Sequence, residues 1–160
     1  MMRRLASRFQ ILAMAFAGTI LLVCAIANAA SAQGTSDRQV KTMKIHMNVE
    51  GATITATLVD SATSRDFVSL LPLTLTLKDY AATEKISDLP RRLSTEGAPP
   101  GSDPSVGDIT YYAPWGNLAL FYKDFGYSSG LIILGKIDSS VEALRGPGPL
   151  RVTIELVEKQ

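Results

Sequence analysis

The chain has 160 residues, with 16 Lys+Arg against 15 Asp+Glu and a formal net charge of +1 at pH 7. Three of the bases, Arg3, Arg4 and Arg8, fall at the very start, so the rest is slightly acidic. It lacks the basic stripe that would offset phosphate charge or hold an anionic membrane surface, so no nucleic-acid partner is expected. The only cysteine, Cys24, lies in an apolar run, which excludes cysteine nucleophiles and thiolate metal sites downstream of it.

The first segment reads as an export signal. Met1 to Gln10 is basic without an acid, Ile11 to Ala27 is almost wholly apolar, and small residues follow. That order fits a signal peptide over residues 1–32. Ala27-Asn28-Ala29 and Ala30-Ser31-Ala32 both fit a cleavage site, and the second leads directly into polar Gln33-Gly34. The apolar run is nearly long enough to span a bilayer, so an uncleaved N-terminal anchor is the alternative. A lipoprotein signal through Cys24 is disfavoured by Val23, where a small residue is expected. Residues 33–42 are polar and read as a flexible linker. The working domain is expected at residues 43–158, periplasmic or secreted.

From Met43 on, the pattern is that of strands. MKIHMNV (43–49) and ATITATLV (52–59) alternate apolar and polar residues around the turn signal Glu50-Gly51, which predicts a hairpin. Asp60-Ser61 opens a helix with Phe67, Leu70 and Leu71 on one face, stopped at Pro72. LTLTL (73–77) alternates cleanly. Asp79 to Leu89 is mixed, with Tyr80, Ile86 and Leu89 as its apolar anchors. Glu96 to Asp108 reads as a loop. Ile109 to Ala113 and Leu118 to Lys123 read as strands joined by a turn at Pro114 to Asn117. Asp124 to Gly130 is a second loop, and Leu131 to Leu134 is a buried strand. Asp138 to Leu144 is predicted as a short helix, and LRVTIELV (150–157) as the final strand. Seven or eight short strands with regular turns point to a barrel or a sandwich.

Several motifs appear in a fixed order: Asp79-Tyr80 with Glu84-Lys85-Ile86, Gly107-Asp108-Ile109 with Tyr111-Tyr112, Trp115-Gly116-Asn117, Phe121-Tyr122, and Leu131 to Ile137. In this the chain resembles the bacterial cyclophilin-like fold family, relatives of the cyclophilins. The resemblance implies a mainly β fold, a closed eight-stranded barrel with one or two short helices. In true cyclophilins an arginine in a groove on the barrel face weakens the partial double bond of an X-Pro amide. The stretch that corresponds here, Asp79-Tyr80-Ala81-Ala82, carries no arginine, and Arg91 and Arg92 come later.

The candidate ligand-binding residues are Tyr80, Glu84, Tyr112 and Trp115. Tyr80 and Glu84 are spaced i, i+4 and share a face if helical. A tyrosine beside a carboxylate can hold a polar ligand or move a proton. Tyr111 and Tyr112 must point to opposite faces of a strand, as must Phe121 and Tyr122, and Phe121 is assigned to the core. Trp115, in a turn, is placed to line a pocket. His46, the sole histidine, has no catalytic motif around it and reads as a strand residue. Asp103, Asp108, Asp124 and Asp138 lack calcium-loop spacing, so no metal is expected, and no cofactor fingerprint is present. The expectation is a monomeric exported domain that binds a small molecule or peptide ligand in a cleft. The alternatives are an atypical peptidyl-prolyl cis-trans isomerase and a hydrolase using Glu84 as base.

Overall fold

A computed structural model describes residues 42–157. The expected signal peptide and nearly all of the expected linker lie outside the described residues.

The alternating runs form strands where the sequence places them. Strand β1 is Met43–Val49 and β2 is Ala52–Leu58, joined by a turn in which Glu50 and Gly51 both have positive φ. This is the backbone twist a tight hairpin needs. Helix α1, Ala62–Val68, starts at Ser61, whose hydroxyl accepts from the Ser64 backbone N–H, so one orphan donor of the first turn is satisfied. The helix is shorter than the apolar pattern predicts, but Phe67 is fully buried and Leu70 and Leu71 pack against the core.

Strand β3 is Leu73–Tyr80 and β4 is Glu84–Asp88. The predicted loops contain two-residue strands, β5 (Gly101–Ser102) and β8 (Ser128–Ser129), which pair with each other. Between them lie β6, Asp108–Tyr112, and β7, Asn117–Phe121. Strand β9 is Leu131–Ile137 and β10 is Leu150–Leu156. The helix expected over Asp138 to Leu144 is instead a single 3-10 turn at Glu142–Arg145. Its start, Val141, gives no side-chain cap, and Gly146-Pro147 stops further winding.

Eight antiparallel strands close a barrel in the order β1-β10-β3-β4-β7-β6-β9-β2. The fold is therefore the closed, mainly β barrel. Alternation sends Ile45, Met47, Leu77, Leu118, Val152 and Ile154 into its filled interior, with Tyr111 beside them. The seam between β2 and β9 is short, only Ala56 to Leu58 against Ile137 to Gly135. It closes around Gly135: a Cβ there would stand 2.4 Å from the Thr57 carbonyl oxygen and 2.7 Å from Leu58 Cα. His46 is an exposed residue of β1.

A second, smaller apolar cluster lies on the other side of the wall. Ala119, Phe121 and Leu131 bury against Ile86 and Tyr112. Asn117, Ala119 and Phe121 alternate with Leu118 and Leu120 along β7, so the outer face of β7 is itself apolar and covered. An outward apolar face on a filled barrel marks a candidate site.

Candidate functional site

The outer face of β4, β7, β6 and the start of β9 forms the floor of a cleft of about 210 Å³. All four residues singled out in the sequence line it: Tyr80, Glu84, Tyr112 and Trp115. Tyr80 and Glu84 meet for a reason other than the predicted one. No helix joins them. They are directly opposed residues of the β3–β4 hairpin, and Glu84 is in turn opposed to Phe121 of β7. Opposed residues on one sheet face have Cβ atoms about 5 Å apart, so the pairing alone places Tyr80, Glu84 and Phe121 in one row. The hairpin turns through Ala81 and Ala82, both at positive φ, an uncommon conformation for a residue with a Cβ.

Phe121 is buried in a hydrophobic cluster, as assigned, but in the smaller outer one that lines the cleft, while its neighbour Tyr122 is in the main core. Strand parity required opposite faces and could not say which face was inside.

Trp115 is held over the cleft by its turn. Tyr80 and Trp115 pack edge to face with ring centroids 5.6 Å apart, and Tyr112 and Trp115 do the same at 5.3 Å. Arg92 braces the turn from behind: its guanidinium donates to the Ala113 carbonyl at 2.6 Å and the Pro114 carbonyl at 3.2 Å. Gly116 has φ +76, and a Cβ there would sit 3.4 Å from Arg92 Cγ. Phe125, from the loop after β7, adds a further ring to the cleft. Trp115 is 55% exposed and Phe125 54%, which is unusual for rings this large that serve only for packing.

Glu84 is half-buried among these rings. Burial alone pushes its carboxyl up to about 7, and no hydrogen bond or ion pair to it occurs among the described residues. A carboxyl that loses water without gaining a partner favours its neutral form. Beside it, Asn117 is almost fully buried, and its Oδ1 has no hydrogen-bond donor. Sequence reading missed Asn117 because it was assigned to the turn. Its spacing of two from Ala119 and four from Phe121 was the available signal.

On the inner side of the same strand, Lys85 is fully buried, which the sequence did not show. Its ammonium donates to the carbonyls of Gly146 at 2.9 Å and Gly148 at 3.3 Å and pairs with Asp79 at 3.0 Å. Lys85 holds the Asp79 carboxyl below its usual range, helped by the Tyr122 hydroxyl, which donates to both Asp79 oxygens. Burial, together with that bond, pushes the Tyr122 hydroxyl up to about 12. The cluster ties the turn after the 3-10 segment to the barrel.

Neither Arg91 nor Arg92 lines the cleft. Arg91 forks onto Asp66 of α1 at 2.6 and 3.0 Å. With the Ser94 backbone N–H it holds the Asp66 carboxyl down to about 2. Asp108 pairs with Lys136 and Asp138 with Lys44, so these acids serve the framework. A wider depression of about 580 Å³ lies between α1 and the 96–102 segment; of the three charged residues along it, Arg65 and Asp60 pair with each other and Glu96 is exposed.

The closed eight-stranded antiparallel barrel is that of a cyclophilin-like fold. The model of the Cyclophilin-like family matches residues 47–155, and the chain belongs to that family. The fold is similar to the solution structure of a hypothetical protein from Archaeoglobus fulgidus, at 22% identity and a TM-score of 0.53, covering 75% of this chain and 98% of that one. No curated protein matches the sequence.

Proposed function

We propose that this domain binds a small ligand, free or as the side chain of a peptide, in the cleft between the β3–β4 hairpin and the Trp115 turn. The observation that carries this reading is Glu84: a carboxyl set among aromatic rings with no partner among the described residues. Burying a polar group without a partner costs about 1–3 kcal/mol by mutational measures, and a packing role alone would not require the group. Convergent polar groups in an apolar, concave site are the general mark of a ligand site. The basic-apolar-small leader supports a periplasmic or secreted location for this binding.

Binding without catalysis is the better-supported reading. Among the described residues no arginine lines the cleft, and Arg91 and Arg92 are engaged with Asp66 and with the Trp115 turn. Trp115 is the chain's only tryptophan, so intrinsic fluorescence reports directly on the cleft. Titration of small polar and aromatic compounds should identify binders that change Trp115 emission. Ligands that bind tightly while Trp115, Tyr112 and Glu84 resonances stay unmoved would place the site elsewhere. A proline-peptide isomerisation assay should show no acceleration.

A further inference from the structure

We infer that the cleft takes a methylated ammonium head group, caged by Tyr80, Tyr112 and Trp115 and neutralised by Glu84. This rests on the ligand-binding reading above and names the ligand's chemistry.

Three observations converge on it. The first is ring geometry. Trp115 stands nearly perpendicular to Tyr80 and to Tyr112, at 86° and 81°, and all three rings line the cleft. Edge-on packing sets one ring's edge on its partner's face, so each pair covers one face where stacking would cover two. A cation near a ring face is attracted by the ring's quadrupole, and tryptophan is the strongest partner.

The second is charge. Among the described residues that line the cleft, Glu84 is the sole carboxyl, and no lysine, arginine or histidine is among them. The site thus offers one negative charge with no cation of its own. Its neighbour Lys85 points to the inner side of the wall and is taken by Asp79 and two carbonyls. A bound cation would supply the missing counter-charge and return Glu84 to its ionised form.

The third is size and polarity. A cleft of about 210 Å³ is below the roughly 300–1,000 Å³ of sites for drug-sized molecules, so it suits a compact head group. A primary ammonium has three donors to satisfy, and the buried acceptors here are the Glu84 carboxylate and the unpartnered Asn117 Oδ1, set against the rings of Tyr80, Tyr112 and Trp115. Methyl groups on nitrogen replace those donors with apolar surface, which is what the rings can bury. The same head group could arrive on a small alcohol or on a methylated lysine side chain.

The experiment is a titration followed by Trp115 fluorescence and calorimetry at low salt and pH 8. The probes are choline, its uncharged carbon isostere 3,3-dimethylbutan-1-ol, and a short peptide carrying trimethyl-lysine. Choline or the peptide should bind at least tenfold tighter than the isostere, and the tighter of the two identifies the carrier. Glu84→Gln should bring the cation down to the level of the isostere. Equal or tighter binding of the isostere overturns the cation assignment while the cleft remains a ligand site. If none of the three probes binds and another compound moves Trp115, the head-group inference falls alone. If nothing that binds the protein moves Trp115, the cleft reading falls with it.

Discussion

Glu84 and Lys85 are neighbours in the chain and lie on opposite sides of one strand, so the two charges do not pair. Lys85 is buried inward against Asp79, 3.0 Å away, while Glu84 faces the aromatic cleft without a cation. Strand alternation enforces the separation. It leaves the wall with a satisfied charge on its inner face and an unsatisfied one on its outer face.

The outer charge should make stability depend on pH in a specific direction. The Glu84 carboxyl rises from 4.5 to about 7 on folding, so over that window the folded state holds the proton and the unfolded state does not. Stability from this group therefore falls as pH increases from about 4.5 to 7. Glu84→Gln removes the fall. The variant should match the wild type at pH 4 and exceed it by about 1 kcal/mol at pH 8, the full shift being discounted because water reaches the group. Urea denaturation at the two pH values measures this, and a variant less stable at pH 8 would contradict it.

The inner charge predicts the opposite response to removal. Lys85→Ala leaves the Gly146 and Gly148 carbonyls without their donor and Asp79 without its cation. The cost should be about 2 kcal/mol, mostly from the lost packing of a buried side chain and the two carbonyls left without a donor, since the Asp79 side chain is 43% exposed and water can reach its charge. Asp79 is held below its usual range in the folded state, so its share of stability is present above the ordinary aspartate value and lost as pH falls through the lowered one. The Lys85→Ala deficit should therefore narrow in acid. Lys85→Met, which keeps most of the volume, should cost less at every pH.

At the seam, Gly135→Ala should be among the most damaging small changes. The new Cβ meets the Thr57 carbonyl oxygen at 2.4 Å and Leu58 Cα at 2.7 Å before it reaches the Leu58 side chain at 2.8 Å, and the two backbone atoms cannot swing away. Only three residue pairs join β2 to β9, so forcing these strands apart opens the barrel. A loss above about 3 kcal/mol, or failure to accumulate soluble protein, is expected. Gly148→Ala, where no atom lies within 4 Å of the new Cβ, meets no such clash, and its cost should be confined to positive φ.

Arg92 should act on the cleft without touching it. Arg92→Ala releases the Ala113 and Pro114 carbonyls, both exposed enough for water to replace the bonds, so global stability should fall by about 1 kcal/mol or less. Trp115 should become more mobile, read as lower fluorescence anisotropy, and affinity for a cleft ligand should drop several-fold. Arg92→Lys should restore only part of it, because one ammonium cannot reproduce the planar fork. Unchanged anisotropy would mean that the turn is held by Gly116 and Tyr112 alone.

Much of this molecule could be read from alternation. The strands around 43–59, 73–77 and 150–157 have one inward face and one solvated face, and that contrast is written directly in the residues. The family resemblance supplied the closure, which no single strand encodes. Trp115 was found because a large amphipathic ring in a turn is poorly explained by packing, and Tyr80 and Glu84 because their spacing of four suggested a shared face. What stayed hidden follows from tertiary pairing. A spacing of four between Tyr80 and Glu84 suits a helix turn and a three-residue hairpin alike, and only the partner strands decide. Lys85 sits at an inward position that alternation would give to an apolar residue, and its acceptors lie more than sixty residues away. Phe121 and Tyr122 were separable by parity, but a wall apolar on both faces removes the clue to which side is inside.

The barrel's ring order carries one more consequence. The first and last described strands, β1 and β10, are adjacent, and the Val157 N–H donates to the Lys44 carbonyl at 2.9 Å. The cleft strands β4, β7 and β6 lie across the ring from them. A short linker could therefore join residue 157 to residue 42, with new ends opened at exposed Gly97, and the permuted chain should keep the barrel and its cleft. Cargo fused to either natural end of the domain would sit clear of Trp115, so this scaffold can be displayed, tethered or dimerised through its ends while its aromatic face stays open.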